Sequence, residues 1–528
     1  MRLTCTCLLF SLFTVLNAQE RNSLLWEISG NGLEESSFLY GTMHVSKKIA
    51  FHLDDVFYEA LLNSEMIALE SDPGTWLEAD TDRSGGQYQR GYGINPKGFY
   101  SRTFRFTPPT KRDLGKYLAS EDRLINNILY RTNTFDQNFE EDTYLDMFIY
   151  RAGAKYGKPV MALEDSEVTN ALVGRASRNA MKPKPDQWLQ EKMKKQALAY
   201  LMQDAYRERN INLLDSIDRA MYTEFYRKNM LYLRNEKMTE KLDSVMHRAK
   251  VFAGIGAAHL PGNQGVIALL RNKGYTVKPL VSPATDKGKT LKQTLQKKVL
   301  RPSLKRFAPA DGFFSLSLPN KLYPVSLEGK ATYVSPDLAN GSYLVVHRIP
   351  NYNYLNTAEY LSLEHIDQIL YENIPGRIVS KRKIEQGGFS GLDIQNQLKN
   401  GDHQRYQIFV TPLEILLIKM SGEGDFVSRF SDPIFNSLQF RKTETSLRTI
   451  RPAYGDFEVS MPGLYHFYNP KSYGDRMAEG VDPATGSYYF LKKATLNDFK
   501  FLEEDDFELR HIQDRFYEEL NIEGQFET

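Results

Sequence analysis

The chain has 528 residues, of which 41% are hydrophobic and 25% charged, with a formal net charge of +1. That length suggests roughly three domains of about 150 residues each, and the composition is that of ordinary globular protein. A charge so near neutral gives no overall electrostatic reason to expect nucleic acid or an anionic membrane as partner.

Residues 1–18 read as a secretory signal peptide. Arg2 supplies the positive start, Leu8 through Leu16 form a short apolar core, and Ala18 closes it with the small residue a signal peptidase accepts. The run is too short for a membrane span, which takes about 20 apolar residues, and no later run qualifies. The protein is therefore expected to be exported, to a periplasm or the cell exterior. Both cysteines, Cys5 and Cys7, lie inside the leader. The mature part then has no disulfide, no zinc–thiolate site and no cysteine nucleophile.

Residues 22–280 read as one α/β domain. Leu24–Ser29 and Ser37–Tyr40 are strands joined by the hairpin signal Gly30-Asn31-Gly32. Asp54 opens an amphipathic helix through Leu62, and Met66–Leu69 is a short buried strand ending at Glu70. Residues 74–112, rich in Gly, Arg and aromatics without periodicity, read as a long surface insertion. Glu141–Tyr156 is helical, with apolar Leu145, Phe148, Ile149 and Ala152. Gly157 ends it, and the strand Pro159–Leu163 runs to Glu164. Several helices occupy 166–248. The strand Lys250–Ile255 follows, then a helix Pro261–Lys273 with proline at its start and Gly274 at its end. Tyr275–Leu280 closes the domain as a strand. Residues 281–307 are polar and basic and read as a solvated linker, without the interleaved aromatics of a nucleic-acid arm.

An internal repeat follows. Gly312–Pro319 matches Gly455–Pro462, Gly341-Ser342-Tyr343 matches Gly486-Ser487-Tyr488, and His365-Ile366 matches His511-Ile512, at offsets that drift only from 143 to 146 residues. Residues 308–440 are expected to be an α+β module, with strands at Tyr406–Thr411 and Glu414–Met420. Residues 452–528 are a partial second copy, as if truncated at residue 528.

The chemistry-bearing pattern is Gly-x-x-His, present as Gly41-Thr42-Met43-His44 and as Gly256-Ala257-Ala258-His259, each just after a strand. A strand delivers the chain to the sheet edge where open α/β sheets build ligand sites, and imidazole is the commonest metal ligand. Glu70 and Glu164 also follow short apolar strands. A carboxylate there is costly to bury unless it pairs with a cation or a metal. Two histidines and a glutamate form a common catalytic set for a divalent metal, with a position left open for water. A second glutamate could act as general base or orient a ligand. The other histidines have blander roles. His52 and His247 are expected at the surface, and His365 and His511 are expected to pack or cap. Asp72 reads as a turn residue before Pro73. The aromatic run Tyr352-Asn353-Tyr354 reads as sheet packing.

Several stretches carry a family resemblance. Leu25-Trp26-Glu27-Ile28 followed by Leu39–His44, Gly157–Val160 leading to Leu163-Glu164, Arg234-Asn235, and Gly256–Gly262 running on to Gly274-Tyr275 resemble the TraB/GumN/Tiki family in order and spacing. The resemblance covers about residues 22–280. It implies a mixed central sheet flanked by helices, related to the erythromycin-esterase and ChaN-like group. It also implies a site in which His44, His259, Glu70 and Glu164 hold the metal (Mn, Co or Zn), while Glu70, Glu164, Arg234 and Asn235 serve the reaction. The family's animal members are membrane-tethered, metal-dependent proteases acting on the amino-terminal end of a secreted signal protein. This chain departs from them in having no anchor, a long insertion and a repeated module.

Together these readings make the chain an exported divalent-metal-dependent hydrolase, a peptidase acting on a peptide or protein, with C-terminal modules available to bind other proteins. The alternative is a non-catalytic haem-, metal- or peptide-binding protein of the cell envelope.

Overall fold

A computed structural model describes residues 22–43, 53–77, 110–119, 125, 128–129, 144–309, 312–327, 330–351, 361–411, 414–441, 447–451, 455–461, 464–468, 476–482, 487–493 and 505–520. The leader, His44, His52, most of the 74–112 insertion and Tyr352-Asn353-Tyr354 fall outside the described residues. The chain divides into two compact units, Met1–Ser71 with Lys158–Gln293, and Asp72–Gly157 with Thr294–Thr528.

The first unit is built on one six-stranded sheet in the order β4-β3-β5-β2-β1-β6. Its strands are β1 (Leu25–Gly30), β2 (Ser37–Thr42), β3 (Met66–Leu69), β4 (Val160–Ala162), β5 (Val251–Gly256) and β6 (Tyr275–Leu280). β4, β3, β5 and β2 run parallel, and β1 lies antiparallel between β2 and β6, so the sheet is mixed. β5 is buried along its whole length, as its unbroken Val-Phe-Ala-Gly-Ile run requires of a strand covered on both faces. Helices of the segment 166–246 and the helix Val266–Asn272 accompany the sheet.

Three sequence expectations change here. The helix after β5 starts at Val266, not at Pro261. Ala257–His259 forms a single 3-10 turn, and Gly262 takes a left-handed φ of 82°, so the chain makes a loop before the helix can begin. The basic stretch 281–307 is not all linker, because Asp286–Lys297 is a helix. Its many lysines mask Leu291 and Leu295 at i, i+4 spacing, and Leu295 is buried. The block 22–280 is interrupted in space, since residues 72–157 group with the C-terminal unit. The helix Leu145–Lys155 places Met147 in a core with Tyr323, Val325, Val334 and Val345. Periodicity shows that a helix has an apolar face, not which sheet receives it.

The second unit holds a seven-stranded antiparallel sheet in the order β12-β13-β14-β15-β11-β10-β9. Its strands are β9 (Tyr323–Leu327), β10 (Lys330–Asp337), β11 (Ser342–Pro350), β12 (Arg377–Gln386), β13 (Phe389–Gln397), β14 (His403–Val410) and β15 (Glu414–Ser421). β15 is buried on both faces. Leu416, Ile418 and Met420 share a core with the helix Phe426–Phe435, and Ile415 and Leu417 share another with the helix Leu363–Asn373, as the period of two dictates. Smaller sheets are β7 (Lys305–Phe307) and β8 (Phe314–Leu318) with β16 (Gln439–Phe440), then β17 (Arg448–Ile450) with β18 (Val459–Met461), and β19 (Leu464–Tyr468), β20 (Arg476–Asp482) and β21 (Ser487–Lys493). The helix Asp505–Leu520 ends the described chain. Among the described residues no helix is long and apolar enough to cross a membrane.

Candidate functional site

The four parallel strands of the first unit end along one edge. Thr42 lies beside Gly256, and Leu69 lies beside both Gly254 and Ala162. The β3–β4 ladder continues past the strands: Leu163 donates its N–H to the Leu69 carbonyl at 2.7 Å, and Glu164 donates to the Glu70 carbonyl at 3.1 Å. That pairing sets the two glutamates side by side. It is the place where open α/β sheets expose the C-terminal ends of their strands.

Arg234 joins them. Its Nε donates to Glu164 Oε1 at 2.6 Å, and its Nη2 donates to Glu164 Oε2 at 2.9 Å and to Glu70 Oε2 at 2.8 Å. Its Nη1 donates to the Met230 carbonyl at 3.0 Å. The second oxygen of Glu70, Oε1, accepts the Gly256 N–H at 2.6 Å. Two carboxylates at buried strand ends need a compensating charge, and the chain supplies one itself. Burial still pushes the Glu164 carboxyl above its ordinary value, against the pull of Arg234.

His259 is 5% exposed. Its Nδ1 lies 2.6 Å from Asn235 Oδ1, and Asn235 Nδ2 donates to the Gln264 carbonyl at 2.7 Å. Because Nδ2 must face a carbonyl, Oδ1 must face the ring, so Nδ1 carries the proton. The lone pair is then on Nε2, which lies 3.9 Å from Glu70 Oε1. A neutral imidazole with its other nitrogen held by an oxygen acceptor is the usual outer arrangement of a metal-binding histidine. Two tetrahedral ligands at about 2.1 Å from an ion stand roughly 3.4 Å apart, a few tenths of an ångström closer than this pair. His259 and Glu70 therefore fit as two members of a metal's donor set. Glu164 has both oxygens on the Arg234 guanidinium, whereas Glu70 gives Arg234 only Oε2 and keeps Oε1 toward the Gly256 N–H and His259. Among the described residues no group of three His, Cys, Asp or Glu is placed to share an ion, and His44 lies outside them. Thr42, the last residue of β2, has a buried Oγ1 with no hydrogen-bond partner.

Other contributors left no sequence signal. Tyr206, from the helix Leu198–Arg207, donates its hydroxyl to the Gly41 carbonyl at 2.9 Å, at the start of the first Gly-x-x-His turn. Arg227 pairs with Asp215 at 2.6 Å and with Asp218 at 2.7 Å. A side chain at Gly262, in the loop after His259, would press on the Arg219 guanidinium. Between Arg227 and Arg234 the helix makes a π turn, Lys228–Tyr232, a feature common at functional sites.

The remaining candidates resolve plainly. Asp72 accepts the Gly74 N–H at 2.8 Å as a turn residue. His365 and Ser362 cap one another's backbone at the start of the helix Leu363–Asn373. His247 and His511 are at the surface.

Residues 24–279 match the model of the TraB/PrgY/gumN family. This part of the chain is similar to that family. The TraB/PrgY/gumN stretch contains Glu70, Glu164, Arg234, Asn235 and His259, as well as His44. The chain is also 24% identical over 338 residues to the "Metalloprotease TIKI homolog" of Amphimedon queenslandica, covering 53% of this chain and 66% of that protein, just under two thirds of the relative's length. Two solved structures share partial similarity. Cyanobacterial PsbP (CyanoP) from Synechocystis is 12% identical, with a TM-score of 0.22 over 27% of this chain and 95% of that one. A crystal structure from Bacteroides thetaiotaomicron is 17% identical, with a TM-score of 0.18 over 28% of this chain and 53% of that one.

Proposed function

We propose that this protein is an exported, divalent-metal-dependent hydrolase, a peptidase of the kind its metalloprotease relative is named for. The observation that carries the reading is the Gln264–Asn235–His259 chain, which leaves the Nε2 lone pair of a buried imidazole 3.9 Å from a carboxylate oxygen. In this reading His259 Nε2, Glu70 Oε1 and His44 hold the ion. A bound divalent metal (Mn, Co or Zn) would acidify a water and polarise a peptide carbonyl.

The chain's own residues do the rest. Asn235 fixes the tautomer and the ring plane of His259. Gly256 N–H and Arg234 aim the Glu70 carboxylate. Glu164 acts as the counter-ion of Arg234 and is not itself a ligand, which leaves Arg234 clamped at the rim of the site.

The test is a metal titration with Mn, Co and Zn, run beside mass-spectrometric detection of peptide cleavage. The wild type, His259→Ala and a His44→Ala/His259→Ala double variant are compared. Tight binding and metal-dependent cleavage in the wild type, both lost in the variants, are expected. Metal binding without cleavage of any peptide would instead favour a storage or carrier role. Unchanged metal binding in the double variant would remove these histidines from the site.

A further inference from the structure

Residues 448–520 retrace the course of 305–373. β17 pairs with β18 in the register of β7 with β8, displaced by 143 residues: Lys305 faces Leu318, and Arg448 faces Met461. β20 pairs with β21 in the register of β10 with β11, displaced by 145: Thr332 faces His347, and Met477 faces Lys492. A helix follows each set, Leu363–Asn373 and Asp505–Leu520.

The two stretches differ in what lies beyond the third long strand. In the first, β15 pairs with β11 from Tyr343 to Pro350. The helix Leu363–Asn373 packs Ile366 and Leu370 against Leu392, Ile394, Tyr406, Ile408, Ile415 and Leu417 of β13–β15. In the second, β21 is the edge of a three-stranded sheet, and no counterpart of β12–β15 occurs among the described residues. The burial of matching positions changes accordingly. Leu344 of β11 is 2% exposed, and its counterpart Tyr489 is 44% exposed. Leu361 is 4% exposed, and its counterpart Phe507 is 55% exposed. Apolar side chains stand at the surface where the complete module covers them.

We propose that β21 is a dimerisation edge, to which a second copy of this chain adds its own β21 antiparallel across a two-fold axis at Phe490. The first module supplies the template, since the same edge of β11 takes an antiparallel strand there. The sequence Ser487–Lys493 is compatible with itself in this register: Phe490 meets Phe490, Tyr489 meets Leu491, and neither Lys492 nor Lys493 meets another lysine. Two three-stranded sheets become one six-stranded sheet, and the backbone groups along the edge find partners. Each helix Asp505–Leu520 then covers strands of the other copy, as Leu363–Asn373 covers β13–β15, and Phe507 and Leu509 leave solvent. The contact is isologous and closes at two copies.

The test uses the full chain with Cys5 and Cys7 replaced by serine. Sedimentation velocity across concentration should show a monomer–dimer equilibrium. Phe490→Lys, which sets two lysines opposite each other on the axis, should raise the dissociation constant at least tenfold. Phe490→Cys should form a covalent dimer under mild oxidation, a readout that stands even if the lysine variant folds poorly. A chain that stays monomeric and does not cross-link would overturn the proposal, and so would a dimer that neither change affects. Amides of β21 already protected from hydrogen exchange in a monomer would show that a segment of the same chain covers the edge, and would equally overturn it.

Discussion

Asn235 Oδ1 lies 2.6 Å from His259 Nδ1 while the Asn235 amide nitrogen is bound to the Gln264 carbonyl, so the asparagine cannot turn over without losing both bonds. Asn235→Ala should therefore lower metal affinity by about 10–100-fold, the usual effect of losing such an outer partner. Asn235→Asp keeps an oxygen acceptor toward the ring and should retain more of that affinity. Competition titration against a metal chelator measures both.

Arg234→Met should destabilise the chain by about 3–5 kcal/mol, because it leaves Glu70 and Glu164 buried without their cation. Adding Glu164→Gln should recover part of the loss, since one of the two stranded charges is removed. Urea unfolding of both single variants and the double variant gives the coupling. Additive effects would contradict the ion-pair geometry.

His247 offers a pH test away from the site. Hydrogen bonds to the Asp243 carbonyl and then to the Asn31 carbonyl raise its pKa above the ordinary 6.5, with Asp243 itself nearby. Both ring nitrogens face acceptors, and Lys273 and Tyr275 bind the Asp243 carboxylate. A raised native value means the stabilisation is complete below about pH 6.5 and fades as pH rises through that value. His247→Gln should therefore be less stable than wild type at pH 6, with the gap closing toward pH 8. A gap that widens with pH would refute the assignment.

Gly265→Ala should cost at least about 2 kcal/mol. A methyl group there would overlap the Leu260 and Pro261 carbonyl oxygens, which are backbone and cannot swing aside. The loop that follows His259 would have to move, so metal affinity should fall together with the melting temperature. An unchanged melting curve would show that the loop is looser than the geometry implies.

Much of the first unit was legible before the structure. The runs Met66–Leu69 and Val251–Ile255 are strands within a residue or so of expectation, because short apolar runs between turn residues fit few alternatives. Glu70 and Glu164 were recognisable as carboxylates in an expensive place. The sequence offers Arg234 either as the partner of a buried carboxylate or as a site-orienting residue, but that it bridges both glutamates emerges only when the fold brings its distant helix to the strand ends. The tautomer of His259 was hidden for the same reason. It depends on Asn235 and on the carbonyl of Gln264, and a backbone carbonyl has no sequence signature. Tyr206 reads in the sequence as one more apolar position of an amphipathic helix. Its hydroxyl acquires meaning only when Gly41 is found beneath it.

The π turn at Lys228–Tyr232 has a rotational consequence. Arg227 and Arg234 are seven residues apart, so a regular α-helix, advancing about 100° per residue, would point them the same way. The wider turn carries an extra residue, which shifts their phase by about one residue's rotation. One arginine can then face Asp215 and Asp218 while the other faces Glu70 and Glu164. Rewinding Lys228–Tyr232 into regular α-helix without losing a residue would put the two guanidinium groups in competition for one side of it, and one of the two acidic pairs would go unanswered, whereas deleting one residue there would smooth the helix and keep them about 120° apart.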